Sequence, residues 1–197
     1  MQAGDAGLPG FPVFEDHMQQ VSVRDTRAAD RGWIQSVYRD YLLDLAPAAT
    51  GLYPMLPDIA QREPDQWTSF FADSAARALT LCYDEQPVGF AKISVHAAPA
   101  GSPARRASPA AATAGAGDYS MAEFFVARSW RRRGIGAQAV RLILDRFEGQ
   151  WLITEHLRNE AAVKFWRQVV SRYTDGRYQE RIVNGEVQQR FESRRRR

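Results

Sequence analysis

The segment from Phe124 to Leu144, FFVARSWRRRGIGAQAVRLIL, constrains the fold more than any other part of the chain. It begins as an apolar strand, passes through three consecutive arginines and two glycines, and ends as an amphipathic helix. A helix that begins after a glycine-rich turn has unpaired backbone N–H groups at its start, where its dipole favours an anion. Arginine guanidinium groups add donors that suit phosphate oxygens. The segment therefore predicts a diphosphate site between a strand and a helix.

A dinucleotide-binding site is one alternative for this turn. Residues 134–139 fit the pattern G-x-G-x-x-G/A, and Glu155 ends the next predicted strand about twenty residues later. However, the first glycine lies eight residues after Val126 instead of directly after the strand, and only 42 residues follow Glu155. Half of a doubly wound sheet cannot be built from so short a remainder that ends in a hairpin, so this alternative is disfavoured.

The composition indicates one soluble globular domain. Of 197 residues, 45% are hydrophobic and 25% charged. The net charge of +3 is smaller than the contribution of the terminal arginines 194–197, which we interpret as a solvated tail and not as a nucleic-acid-binding arm. A lone cysteine, Cys82, and the absence of a zinc-ligand pattern predict no disulfide and no metal site. With no signal-like start and no long apolar run, we expect a cytoplasmic protein that does not span a membrane.

Hydrophobic periodicity predicts an alternating order of strands and helices. The expected elements are a strand at 21–25, a helix over 33–45, a loop at 46–63 with a short helix after it, an antiparallel pair at 78–84 and 87–95, a strand at 119–127, a helix carrying the apolar residues 140, 143, 144 and 147, a strand at 150–155, a helix over 159–173 and a hairpin around Asn184-Gly185. We expect a lead-in at 1–20, a domain at 21–191 with a flexible Ala/Pro/Gly-rich insertion at 97–117, and a disordered basic tail at 192–197.

Two motifs in the second half of the chain resemble the GNAT superfamily of N-acetyltransferases. Arg131, Gly134 and Gly136 meet that family's acetyl-coenzyme A signature, Q/R-x-x-G-x-G/A. The later stretch NEAAVKFW, residues 159–166, resembles its second cofactor-facing motif, N-x-x-A-x-x-F-Y. The resemblance covers about residues 119–191 and implies a single-domain α/β (α+β) fold. Its mixed, mostly antiparallel central sheet is splayed between the fourth and fifth strands and flanked by helices.

The resemblance also implies an activity, the transfer of an acetyl group from acetyl-coenzyme A (acetyl-CoA) to a primary amine. The amine attacks the thioester directly, without an acyl-enzyme. The implied cofactor-binding residues are Phe124, Val126, Arg131, Arg132, Arg133, Gly134, Ile135, Gly136, Ala137, Asn159 and Phe165. For Asn159, a helix N-cap is an equally good interpretation.

Proton transfer requires a base and an acid. Glu123, at the expected splaying point, is the candidate base, against the alternative of an exposed glutamate on an edge strand; Glu155 and His156 are a second candidate pair. Trp166 stands where many relatives carry the tyrosine that acts as acid. Either Tyr173 takes that role or the thiolate leaves without an acid from the protein, and a core position is the alternative for Tyr173.

The acceptor amine is not identified by the sequence. The expected acceptor cleft offers acidic and aromatic side chains, which suit a cation: Tyr38, Tyr41, Asp44, Tyr53 and Asp58. A homodimer through the last hairpin is left open. Two other functions also remain, a catalytically silent acetyl-CoA sensor and, less favoured, a nucleic-acid-binding module that uses the arginine clusters.

Overall fold

The structure is a computed structural model that describes residues 20–45, 71, 75–96 and 117–194. The elements are β1 (Val21–Asp25), α1 (Arg31–Leu45), β2 (Ala76–Tyr83), β3 (Gln86–His96), β4 (Gly117–Val126), α2 (Ile135–Arg146), β5 (Gly149–His156), α3 (Glu160–Thr174), β6 (Gln179–Val183) and β7 (Glu186–Ser193). They follow the predicted order. The loop at 46–63, nearly all of the helix predicted after it, residues 97–116 of the insertion and the last three arginines lie outside the described residues.

The strands form one seven-stranded sheet in the order β1-β2-β3-β4-β5-β7-β6. Its β4–β5 pair is parallel, and the other neighbouring strands in the sheet are antiparallel. This confirms the predicted mixed, mostly antiparallel sheet. The parallel pair is the point where the chain crosses over through α2, because parallel neighbours cannot be joined by a tight turn.

Two tight hairpins join neighbouring strands of the sheet. Asp84 and Glu85 join β2 to β3 with φ of 49° and 65°, and Asn184 and Gly185 join β6 to β7 with φ of 51° and 79°. Two consecutive residues with positive φ are typical of a two-residue hairpin turn, because the twist of such a turn matches the twist of the two strands that it joins. Both predicted antiparallel pairs are therefore confirmed.

Helices cover both faces of the sheet. On one face, α2 and α3 bury an apolar core that includes Ile143, Trp166 and Val170. On the other face, Ile34, Tyr41 and Leu42 of α1 pack against Phe90 and Phe125 of the sheet. In each of these helices the apolar residues recur three or four positions apart, so they lie on the side that faces the sheet, as the periodicity predicts.

The end of the domain differs from its predicted position. β7 continues to Ser193, two residues into the segment predicted as a disordered tail. The buried Ser193 hydroxyl donates to the Phe147 carbonyl oxygen at 2.8 Å and accepts from the Trp151 indole N–H at 3.1 Å. These buried contacts tie the last strand to the sheet, so the ordered domain continues beyond residue 191, where the run of arginines led us to expect a tail.

No helix in the part of the chain that the structure describes is long and apolar enough to cross a bilayer.

Candidate active site

The sheet opens between β4 and β5. The two strands pair only from Gly117 opposite Gly149 to Ser120 opposite Leu152. Beyond that point β4 continues to Val126 while paired with β3, and β5 continues while paired with β7. The strands therefore diverge and leave a wedge-shaped opening, which confirms the predicted splay.

Backbone groups of β4 face this opening. The Ala127 N–H donates to the Val88 carbonyl oxygen at 2.9 Å, which fixes the alternation of hydrogen bonds along β4. Residues 123, 125 and 127 therefore bond toward β3, whereas Phe124 and Val126 direct their backbone groups toward β5. Pairing with β5 has ended there, so these groups have no strand partner on that side. An extended ligand with amide groups can bind them as an added strand does.

A β-bulge in β4 decides which way Glu123 points. Ile93 of β3 lies opposite Met121 and Lys92 lies opposite Glu123, so Ala122 is the extra residue of the bulge. Met121 belongs to the core beneath α2 and α3. In a regular strand Glu123 would share that face, because side chains two residues apart point the same way. The bulge instead turns Glu123 to the face covered by α1, where it meets Tyr38.

The Glu123 carboxyl group is buried and incompletely hydrogen-bonded. It accepts a hydrogen bond from the Tyr38 hydroxyl, while its Oε2 has no partner among the described residues. Burial raises the pKa of Glu123 to about 7, although the Lys92 ammonium and the Tyr38 hydrogen bond both lower it. The alternative of an exposed glutamate on an edge strand is therefore wrong, because β4 lies inside the sheet.

The turn before α2 presents unpaired backbone N–H groups. A short 3-10 turn, Arg128–Trp130, follows β4, and Arg132 and Gly134 then take left-handed φ values of 65° and 79°. The amides of residues 132–137 make no hydrogen bond to any backbone acceptor in the described residues. Gly134 is the N-cap of α2 and has no side chain to bond them. The turn and the first turn of α2 therefore offer adjacent donors at a helix N-terminus, an arrangement that suits an anion.

This turn lies against the opening. A Cβ atom built on Gly136 would lie 3.4 Å from the Phe165 ring on α3 and 3.7 Å from Cγ2 of Val126 on β4. The Phe165 ring in turn stacks on Phe124 of β4, with ring centroids 5.8 Å apart. The predicted cofactor-binding residues of β4, the turn and α3 are thus brought together, although they are far apart in sequence.

The arginine side chains of the turn are placed unevenly. Arg131 donates to the Val126 carbonyl oxygen at 2.7 Å and forms an ion pair with Asp44 of α1. The Asp44 carboxylate also forms an ion pair with Arg128. Asp44, predicted to face the acceptor, is thus bound to the turn. The Arg133 guanidinium lies over the Trp130 ring, 5.0 Å from its centroid.

Asn159 is an N-cap in the structure. Its Oδ1 accepts from the Ala162 N–H at 3.3 Å, at the start of α3. This bond uses the carbonyl end of the side chain. A contact between the Asn159 side chain and the cofactor stays a prediction.

A second, partly buried carboxyl group lies on the other wall of the opening. Glu155 is on the part of β5 that no longer pairs with β4, and its Oε1 accepts from the indole N–H of Trp166 at 2.7 Å. Burial raises the pKa of Glu155 to about 7, against the lowering effect of that hydrogen bond. The sequence gives only a faint signal of this contact, the alternation that places Glu155 on the same face as Trp151 and Ile153. Its neighbour His156 accepts from the Arg158 N–H at 3.2 Å.

Tyr173 is not brought to the opening. Its hydroxyl donates to Asp145 Oδ1 at 3.0 Å and lies 3.3 Å from the Arg194 carbonyl oxygen. Arg194 follows Ser193, which pairs with Gly149 at the closed end of the β4–β5 pair. The prediction of Tyr173 as the acid is therefore not supported by its position, and the alternative of a packing role fits better.

The side chains of Tyr41 and Cys82 are both buried. Tyr41 is buried against Phe90 and Phe125, and Tyr53 and Asp58 lie outside the described residues. Cys82 is buried in β2, where burial raises the pKa of its thiol, so it is not an activated nucleophile.

The fold resembles several solved N-acetyltransferases. A ribosomal-protein-alanine N-acetyltransferase from Brucella melitensis biovar Abortus 2308 is 15% identical, with 75% of this chain and 89% of that chain covered and a TM-score of 0.52. The protein NAA60 from Arabidopsis thaliana, solved with acetyl-CoA, is 10% identical, with 88% and 98% covered and a TM-score of 0.55. Spermidine N-acetyltransferase from Vibrio cholerae, solved with CoA and spermine, is 11% identical, with 88% and 96% covered and a TM-score of 0.54.

A comparison with curated protein sequences finds no match. The profile of the acetyltransferase (GNAT) family matches residues 34–169, which include the opening, the turn and most of α3. The chain therefore belongs to the GNAT family of acetyltransferases.

Proposed function

We propose that this protein is an N-acetyltransferase that transfers the acetyl group of acetyl-CoA to a primary amine. Family membership supports the reaction class, and solved relatives of the same fold bind acetyl-CoA or CoA. The observation that carries the proposal is the position of Glu123, a buried carboxyl group with an unpartnered oxygen at the bulge beside the opening.

The residues around the opening fit acetyl-CoA. The unpaired amides of residues 132–137 would hold the pyrophosphate, with the side chains of Arg132 and Arg133 adding positive charge. The backbone groups of Phe124 and the Val126 N–H, which have no strand partner on the β5 side, would bond the amide groups of a pantetheine arm. The Val126 carbonyl oxygen already accepts from Arg131. Arg131, Ile135, Ala137, Asn159 and Phe165 complete the proposed binding site. When bound, acetyl-CoA supplies an activated acetyl group as a thioester.

Glu123 would act as the base. An alkyl ammonium has a pKa near 10.4 and must lose a proton before its nitrogen can form a bond. A carboxyl group with a pKa of about 7 is partly ionised at neutral pH and still accepts a proton effectively. The Tyr38 hydroxyl would hold one oxygen of Glu123 in place, which leaves Oε2 for the amine or a bridging water.

Direct transfer, without an acyl-enzyme, fits the nucleophiles present. Cys82 is 1% exposed on β2 and has a raised thiol pKa. A catalytic thiolate needs the opposite conditions. We therefore infer that the amine reacts with the thioester in a single transfer.

The proposal is tested by two measurements on the purified protein. Calorimetry with CoA measures binding, and thiol release with acetyl-CoA and a panel of alkylamines, polyamines and aminoglycosides measures turnover. Glu123→Gln is expected to lower kcat by about a hundredfold and leave CoA affinity unchanged, because general-base catalysis contributes that much. Glu148→Gln is the matched control, since Glu148 is exposed before β5.

Each outcome separates the candidate functions. CoA binding without thiol release for any amine would support a silent sensor. A protein that binds no CoA would contradict both the enzyme and the sensor.

A further inference from the structure

Two partly buried carboxyl groups flank the opening, Glu123 and Glu155, and the proposed base uses only Glu123. Glu123 lies on β4 and faces α1, whereas Glu155 lies on β5 and faces α3, where Trp166 donates to it. The Trp166 ring also contacts Phe124 of β4, with centroids 5.4 Å apart. Trp166 thus spans the opening and presents its indole N–H to Glu155 on the far wall.

The donor and the acceptor are expected on opposite faces of the sheet. The phosphate-binding turn packs against Phe165 of α3, so a ligand held there enters the opening from the α2–α3 face. Glu123 and Tyr38 lie on the α1 face. The carboxyl group on the donor side is therefore Glu155.

Aminolysis of a thioester needs a proton donor as well as a base. As the N–C bond forms and the C–S bond breaks, the electron pair of that bond passes to sulfur. A thiol of this kind has a pKa near 8.5, so its thiolate takes up a proton at neutral pH. Neither Trp166, whose indole is not an acid, nor the distant Tyr173 supplies it.

We propose that Glu155, held in position by the Trp166 indole, is the general acid that protonates the leaving thiolate. This inference rests on the proposed function. In each turnover the ammonium passes one proton to Glu123 before the N–C bond forms, and the nitrogen loses its second proton to solvent as the C–S bond breaks and the Glu155 proton passes to sulfur. Glu123 then releases its proton to solvent and Glu155 takes one up, so one proton is released in each turnover. Trp166 acts as a positioning residue.

The surroundings of Glu155 favour a protonated side chain. Val187 of β7 lies opposite it, and α3 contributes Trp166. Burial raises the pKa of Glu155 to about 7, although the hydrogen bond from the Trp166 indole lowers it. No charged group in the described residues shifts this pKa further. The adjacent His156 instead bonds the backbone at Arg158.

Carboxyl NMR tests the inference without turnover. In protein labelled with ¹³C at glutamate carboxyls, two groups are expected to titrate near pH 7, and Glu155→Gln should remove one of them while Glu123→Gln removes the other. Trp166→Phe should move the Glu155 midpoint upward, because the indole N–H stabilises the carboxylate. A Glu155 midpoint below about 5.5 would overturn the inference.

Kinetics separates an acid from a structural residue. Glu155→Gln should lower kcat with acetyl-CoA at least about tenfold, with the CoA dissociation constant within about twofold of wild type. With an acetyl thioester of an aryl thiol of pKa below about 7, the loss should nearly disappear, because that thiolate leaves without a proton. Equal losses with both donors, or an unchanged kcat, would overturn the inference. The Glu148→Gln control should behave as wild type with both donors.

The outcomes distinguish this inference from the function on which it rests. A wild-type protein that releases no thiol with any amine contradicts both. An active wild type with a fully active Glu155→Gln variant contradicts only the role of Glu155. Should Glu155→Gln fail to fold, Trp166→Phe provides the test: its high-pH limb of activity must shift upward with the Glu155 midpoint, and a fixed limb would overturn the inference.

Discussion

Asp44, near the end of α1, binds Arg131 in the turn that leads into α2. The same carboxylate accepts from Arg128 at 2.7 Å, and Arg131 also donates to the Val126 carbonyl oxygen. The helix on one face of the sheet is thereby tied to the end of β4 and to the proposed phosphate site. The arginine that the family signature contributes is thus partly neutralised by α1.

Asp44→Asn should strengthen CoA binding. Removing this carboxylate leaves Arg131 free to attract phosphate, so we expect an affinity gain of about three- to tenfold at low salt, shrinking at high salt. The ion pair is partly exposed, so the stability loss should stay below about 1 kcal/mol. Calorimetry at two salt concentrations measures the effect. Asp40→Asn makes the same charge change on the exposed side of α1 and should raise CoA affinity less. Equal rises in CoA affinity in both variants would contradict a specific role for Asp44.

Gly134→Ala should weaken CoA binding without unfolding the domain. Gly134 has a φ of 79°, and an alanine there would strain the turn that presents the free amides. Gly185→Ala is the matched control, because Gly185 has the same φ of 79° but lies in the β6–β7 hairpin. Both variants should lose about 1 kcal/mol of stability, and only Gly134→Ala should lose CoA affinity, by about tenfold or more. Calorimetry that finds equal CoA affinity in both variants would rule out the turn as the phosphate site.

Gly89→Ala should destabilise the sheet. A Cβ atom at Gly89 would lie 2.3 Å from the Phe125 carbonyl oxygen and 2.9 Å from Cδ1 of Leu81, so backbone must move. We expect a loss of about 2–4 kcal/mol in urea unfolding. Gly32→Ala, in the exposed first turn of α1 with no atom near its Cβ, should instead gain about 0.5 kcal/mol. A neutral Gly89→Ala variant would contradict the close approach of β3 and β4.

Glu123→Gln should change the pH dependence of stability. The pKa of Glu123 rises from 4.5 in the unfolded chain to about 7 on folding, so folding favours its protonated form. This contribution is complete below pH 4.5 and is lost as the pH rises through about 7. The variant cannot ionise there, so its stability relative to wild type should grow between pH 4 and pH 8 by up to about 3 kcal/mol.

Urea unfolding at both pH values measures this difference. Glu148→Gln should show no such trend, because Glu148 is exposed. Glu155 titrates in wild type and variant alike, so its contribution cancels. A difference that does not depend on pH would mean that Glu123 keeps an ordinary pKa.

The sequence alone determined the order of the elements, the two hairpins and the turn that offers free amides before α2. These features depend on local physics. The spacing of apolar residues sets the helices and strands, Asn184 and Gly185 favour left-handed φ, and the first amides of a helix such as α2 have no backbone acceptor. Each can be read from residues that are neighbours in the chain.

Only the tertiary structure decided which side chains the opening contains. The bulge at Ala122 turns Glu123 toward α1, and burial, which depends on distant residues, raises its pKa. The long-range contacts of Asp44 with Arg131 and of Trp166 with Glu155 join separate elements. Tyr173 instead bonds Asp145, near the end where β4 and β5 still pair. Such contacts depend on strand register and helix packing, which the spacing of residues along one element does not specify.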